Sequence, residues 1–315
     1  MNFQEGYTYN KTIEANYTNE PSVINWKYEE ESINKLIREI KLPGSEYSLF
    51  ETLKIPSLKE QLQEIRENPG YTANEISQEE SRIANIIQDG VSKISCGGEL
   101  TSSPDEMLKT NSSNCVGRSI LGGAYFREVG LNYLVGDLRK HSIIFHVLSD
   151  GQVESRDMQE SSSNSKKLTD DMIRGERRDG KTLNMTDIVE FSNNPHPKGL
   201  SFNLNTDYHQ SYNSKHVVIY APEVGHKLQR LNNLGISFVA QDLDEDAIEA
   251  CKECIRINPD YDSAHYHLGN SLARLGRYEE AIEPYKACIR INPDHASAYN
   301  NLGISLGALG RHTTP

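Results

Sequence analysis

The feature that most constrains this chain is a near-copy of itself. Cys254-Ile255-Arg256-Ile257-Asn258-Pro259-Asp260 recurs unchanged thirty-four residues on, as Cys288-Ile289-Arg290-Ile291-Asn292-Pro293-Asp294. Leu234-Gly235, Leu268-Gly269 and Leu302-Gly303 keep the same period, as do Ala247 with Ala281, Cys251 with Tyr285 and Pro259 with Pro293. A unit of this length cannot bury its apolar face alone, so successive units must stack on one another. The period predicts units at 228–261 and 262–295, and a partial third at 296–315 that stops after one helix near Gly310-Arg311.

This pattern resembles the tetratricopeptide repeat, and the resemblance implies two antiparallel helices per unit. Leu and Ala would pack the first helix on the second, Gly would allow close approach, and Pro would end the second helix. It also implies a concave face lined by first-helix residues, here Asn232, Tyr266, Asn270, Arg274 and Asn300. Apart from Arg274 these are uncharged, which favours hydrogen bonding to an extended peptide backbone over a strongly charged ligand. A protein or peptide is therefore the expected partner. Cys251-Lys252-Glu253-Cys254 falls at second-helix core positions, and two ligands do not make a zinc site. His196, His209 and His216 also lack ligand partners at metal spacing, so neither a metal nor an organic cofactor is predicted.

Composition narrows the function classes. Over 315 residues the net charge is −12, which argues against binding to nucleic acid or to an anionic membrane, because phosphate recognition needs a basic patch. No run approaches the roughly 20 apolar residues of a transmembrane helix, and mean hydropathy is −0.63. Residues 1–6 show no secretory signal. The 5 cysteines are scattered and odd in number, which fits reduced thiols in the cytoplasm.

Residues 1–25 read as a polar arm. A helix is predicted from Trp26, with Ile33, Leu36, Ile37 and Ile40 on one face before Pro43-Gly44. Further helices are predicted over Leu49–Leu53, Leu58–Ile65 and Glu75–Ile94, all read as packing elements without chemistry of their own. Ser112-Ser113-Asn114 then offers N-cap residues directly before Cys115. Val116, Ile120, Leu121, Ala124, Tyr125 and Val129 give an amphipathic-helix spacing that Gly130 closes. Cys115 thus sits in a first helical turn among unpaired backbone N–H groups, a setting that favours thiolate. Strands follow at 131–136, 142–148 and 152–157, the last two joined by a turn at Ser149-Asp150-Gly151.

A helix-borne cysteine, a histidine at the head of a strand and an aspartate at the end of its partner strand supply nucleophile, base and orienter. Two histidines compete. A two-residue turn puts Asp157 opposite Ile144, on the face of His146; a three-residue turn puts it opposite Ile143, on the face of His141. The ordered set resembles the transglutaminase-like superfamily, with its papain-like architecture, over roughly residues 75–160. The sixteen residues from His141 to Asp157 lie close to that family's spacing. The resemblance implies Cys115 as nucleophile, His141 as general base and acid, and Asp157 as orienter, in acyl transfer or in peptide or isopeptide hydrolysis. A helix over Leu183–Phe191, capped by Asn184 or Thr186, and a strand at Val217–Tyr220 complete the reading. The expected fold class is α+β: a helical region over 1–74, a papain-like core over 75–221 combining the Cys helix with antiparallel sheet, and an all-α repeat tail over 228–315. The rival expectation is a non-catalytic scaffold whose repeats carry the function.

Overall fold

The structure is a computed structural model that describes residues 26–97, 103–138, 141–174, 182–196, 198–204 and 216–310. The predicted arm at 1–25 and His209 lie outside them. Two compact units divide the chain, one over Trp26–Ser237 and one from Phe238 onward.

The first unit opens with four helices: α1 Trp26–Glu39, α2 Leu49–Thr52, α3 Ile55–Glu67 and α4 Ala73–Val91. Their boundaries follow from local chemistry. Ser48 with Glu51, and Thr72 with Glu75, form capping boxes that satisfy the free N–H groups at the starts of α2 and α4. A short parallel pair, β1 Ser95–Cys96 and β2 Ser112–Ser113, brackets α5 Pro104–Thr110, and α6 Cys115–Val129 follows at once. None of β1, β2 or α5 is legible as a period in so few residues.

The rest of the unit is mixed helix and sheet. Strands β3 Tyr133–Asp137, β4 Ser142–Val147, β5 Val153–Arg156, β6 Lys166–Lys167, β7 Ile173–Arg174, β8 Leu200–Leu204 and β9 His216–Tyr220 form a seven-stranded sheet. Its order is β6-β5-β4-β3-β9-β8-β7, and every pairing is antiparallel. Helix α7 Met185–Asn193 lies between β7 and β8 in sequence and is capped by Asn184, the first of the two predicted caps. One sheet face carries Tyr133, Val135 and Ile144 into a core with Leu36, Ile87, Leu121 and Phe126. The other carries Leu134, Ile143, Phe145 and Val147 against Ile188 and Phe191 of α7. Covered on both faces, β4 is buried along its whole length.

Helix α6 departs from expectation. It is not amphipathic: every residue from Val116 to Phe126 is buried, because α1, α3 and α4 pack around it on the side away from β4. Gly122 and Gly123 make that possible. A Cβ at Gly122 would stand 2.6 Å from Met158 Sδ, and one at Gly123 would stand 2.8 Å from the Tyr133 ring. Each glycine costs about 1 kcal/mol of helix propensity, which close packing on both sides offsets.

Helix α8 Pro222–Ala240 follows β9, and the division between the units falls within it. The second unit stacks α9 Asp244–Ile257, α10 Asp262–Arg274, α11 Tyr278–Ile291 and α12 Ala296–Ala308, each packed on the next. Helices α9 and α11 end one residue before Asn258-Pro259 and Asn292-Pro293, since the residue preceding a proline is driven out of helical geometry. Gly269 gives the close approach expected of it, since an added Cβ would lie 2.6 Å from the Tyr285 ring. Cys251, Cys254 and Cys288 are all buried.

Candidate functional site

The N-terminus of α6 is fixed from two directions. The Asn114 side chain accepts the Gly117 N–H at 2.9 Å, capping the helix so that Cys115 is its first residue. Before it, Ser113 pairs with Cys96, and the Gly97 N–H donates to the Ser113 carbonyl at 3.0 Å. The Cys115 side chain is half-buried, and its backbone N–H has no acceptor within the helix.

The β4–β5 hairpin supplies the other two groups. Ile144 pairs with Arg156 and His146 with Glu154, and the Leu148 N–H donates to the Gln152 carbonyl at 2.8 Å. The connection is therefore the three-residue Ser149-Asp150-Gly151, with Gly151 at φ 84, the left-handed geometry that closes such a loop. The paired register stops at Ile144 with Arg156, and the next residue along, Asp157, meets His141. His141 Nε2 and Asp157 Oδ2 are 2.7 Å apart, with both residues buried. The other carboxylate oxygen, Oδ1, accepts the Gln159 N–H at 2.9 Å. The Cys115 thiol also acts on the same imidazole. Burial alone would lower the pKa of His141. The hydrogen bond to Asp157 and the neighbouring Cys115 thiol, with the charges of both, outweigh it and raise the pKa to about 9.

His146, the competing histidine, lies elsewhere. It is fully buried, edge-on to Phe126 at 5.2 Å between ring centroids. Its Nδ1 stands 3.7 Å from Glu154 Oε2, too long for a hydrogen bond. Burial first, and then the Arg156 charge, depress its pKa. Glu154 is bonded to Arg156 and to Ser81. Burial pushes its carboxyl up, but His146, Arg156 and Ser81 together hold it at about 2.

Sequence reasoning missed one part of this site. Helix α4 was read as packing without chemistry, yet its inner face bonds the hairpin turn by turn. Ser77 Oγ accepts the Asp150 N–H at 2.9 Å, and Glu80 accepts the Ser149 N–H at 2.8 Å. Asn85 accepts from Arg156 at 2.7 Å, and Gln88 donates to the Asp157 carbonyl at 3.0 Å. The available signal was the polar stripe Ser77, Ser81, Asn85 and Gln88, which recurs at helical spacing beside the apolar Ala84, Ile87 and Val91.

The proposed groove residues are dispersed. Asn232 is on α8 within the first unit, whereas Tyr266, Asn270, Arg274 and Asn300 are in the second. Tyr266 packs against the His295 ring at a tilt of 38°, with 4.6 Å between centroids. Asn270 Oδ1 accepts from the Tyr285 hydroxyl at 2.9 Å and from Asn301 Nδ2 at 2.8 Å. Arg274 is engaged by Asp244 at 2.9 Å and Asp242 at 2.7 Å, and Asn300 is exposed. Among the described residues, no three His, Cys, Asp or Glu side chains converge as metal ligands, and no helix is long and apolar enough to cross a membrane.

Comparison with known proteins places the second unit. Residues 250–283 match the family described as Tetratricopeptide repeat, and residues 269–310 match TPR repeat. The C-terminal helices are therefore tetratricopeptide repeats. No curated protein matches the chain. A solved structure of menin, titled as revealing the binding site for Mixed Lineage Leukemia (MLL) protein, is similar at 11% identity. It covers 91% of this chain and 74% of its own, with a TM-score of 0.34.

Proposed function

We propose that this chain is a cysteine-dependent acyl transferase, or a peptide or isopeptide hydrolase, of the transglutaminase-like class, with a papain-like core. One arrangement carries the reading: a single buried imidazole stands 2.7 Å from the Asp157 carboxylate, and the thiol of Cys115, at a helix N-terminus, acts on the same ring. Asp157 takes Nε2, which leaves Nδ1 for the sulfur. The Cys115 thiolate attacks a carbonyl carbon, and the S–C bond forms as the carbonyl π pair moves onto oxygen. Asn114 takes the Gly117 N–H, so the Cys115 and Val116 backbone N–H groups of the first turn of α6 are the donors for that oxyanion. Imidazolium His141 then gives its proton to the leaving nitrogen as the C–N bond breaks, leaving a thioester and a free amine. In the second half, His141 takes a proton from water or from an incoming amine as that nucleophile displaces sulfur. Asp157 holds the tautomer and the ring plane throughout.

The repeats supply protein binding, through hydrogen bonds to an extended segment at Tyr266, Asn270 and Asn300. The carboxylates that hold Arg274 make it a structural residue more than a ligand contact.

The test is acyl trapping. Incubated with an activated acyl ester, the protein should gain one acyl mass on Cys115, and hydroxylamine should remove it as expected for a thioester. Cys115→Ser and His141→Ala should abolish the adduct. Acylation spread over Cys96 and surface lysines, and unchanged in Cys115→Ser, would leave only the interaction-module reading.

A further inference from the structure

We propose that Gln88 is a positioning residue for Asp157: its side-chain amide organises the turn that aims the carboxylate at His141. The inference rests on the catalytic reading above and adds to it a residue that never touches the reacting atoms.

Gln88 lies in the last turns of α4 and is completely buried. Its Nε2 donates to the Asp157 carbonyl at 3.0 Å and lies 3.2 Å from the Glu160 carbonyl and 3.4 Å from that of Ser161. Its Oε1 accepts from Ser165 Oγ at 2.7 Å and from Arg156 Nη1 at 3.2 Å. One amide thus spans both ends of the 156–165 segment. No apolar side chain could do this, and Gln88 does it from a position flanked by the buried apolar Ala84, Ile87 and Val91. A buried primary amide is costly unless its donors and acceptor are used, and here both ends are.

The same turn controls the carboxylate. The Gln159 N–H holds Asp157 Oδ1, and the Glu160 N–H closes on the Asp157 carbonyl at 3.0 Å. Asp89, one residue past Gln88, accepts the Ser162 N–H at 2.7 Å and so extends the grip of α4 along the turn. Met158 clips the turn to the cysteine helix at Gly122. With Oδ1 and the carbonyl fixed, Oδ2 has one orientation left, toward His141 Nε2. Removing the amide donors frees the turn that aims Asp157 while leaving the identity of all three catalytic side chains unchanged.

The experiment is a double-mutant cycle. Gln88→Glu keeps an acceptor for Ser165, offers Arg156 a carboxylate, and loses only the donors that face the turn; Gln88→Met is the uncharged second variant. Two quantities are read in the full-length protein: the rate of Cys115 alkylation by iodoacetamide at pH 7, and the titration of the His141 imidazole by nitrogen NMR. Gln88→Glu should slow alkylation about tenfold, the size of an ordinary coupling between contacting residues. It should also bring the His141 titration down from its value of about 9. In the Asp157→Asn background the same substitution should change the rate by less than about twofold, since no carboxylate remains to be aimed. A purely structural role predicts the opposite, with equal effects in both backgrounds, and that result overturns the proposal. So does an unchanged His141 titration in a folded Gln88 variant. If one variant fails to fold, the other decides. The titration reports on Gln88 even if Cys115 proves unreactive, so failure of the catalytic reading is distinguishable from failure of this one.

Discussion

Two seams in this molecule are built on opposite principles. Between α4 and the β4–β5 hairpin, the contacts are buried and polar: Ser77, Glu80, Ser81, Asn85, Gln88 and Asp89 each bond the strand or its flanking turns. Between α10 and α11 they are mostly apolar: Leu268, Gly269 and Leu272 close on Ala281, Tyr285 and Cys288, and one polar bond, from the Tyr285 hydroxyl to Asn270, joins them. An apolar seam is non-directional and can be copied every thirty-four residues at little cost to fit. A polar seam is directional, fixes the orientation of each group it touches, and fails if one partner is lost. The second unit uses the repeatable kind. The first places the directional kind on the strand that leads into Asp157.

The contrast can be broken by mutation. The largest effect should come from Arg156→Ala. It removes a fully buried guanidinium from Glu154 and leaves that carboxylate buried and unpaired, at a cost of roughly 3–5 kcal/mol in urea unfolding. A cost below about 1 kcal/mol would show that the polar seam carries no more weight than a surface pair. The next effect is set by pH. The folded pKa of His141 is raised to about 9 from 6.5, so its pairing stabilises fully below pH 6.5 and is lost as pH rises through 9. The difference is roughly 3 kcal/mol by proton linkage. It should appear as a fall in stability over that window that His141→Gln lacks. Third, Gly269→Ala should destabilise the repeat unit by about 1–3 kcal/mol, because the new Cβ meets the Tyr285 ring at 2.6 Å. Smallest is Gly303→Ala, at the same repeat position. Nothing lies within 4 Å there, so the substitution should stabilise α12 by about 0.5–1 kcal/mol. Equal and same-signed effects at Gly269 and Gly303 would mean that the period does not govern packing.

Legibility in the sequence followed the same divide. The repeat helices could be read because each is written more than once, and α6 because Asn114 and Gly130 punctuate it in the chain. His141 was favoured over His146 only by the spacing of the resembled family, since the register itself turned on one residue of loop length, in a turn where Gly151 takes a positive φ. The full burial of α6 was invisible because it arises from α1, α3 and α4 arriving from elsewhere in the chain. Strands β6, β7 and β8 were missed because they are short or pair across long connections. Gln88 was missed because a single amide carries no period, and its five partners lie between Arg156 and Ser165.

The central claim is that Cys115 is a chemically activated thiol, and the other cysteines provide the control. Cys96 is exposed, Cys115 is only half-buried, and Cys251 lies in the repeat core, where burial pushes its thiol up to about 12. Ranked by access alone, Cys96 reacts first. The decisive measurement is alkylation of the native protein by substoichiometric iodoacetamide at pH 7, with each cysteine quantified by peptide mass spectrometry. The account predicts that Cys115 is modified at least about tenfold faster than Cys96, and that His141→Ala erases the advantage. Modification of Cys96 ahead of Cys115, or a Cys115 rate indifferent to His141, would contradict it.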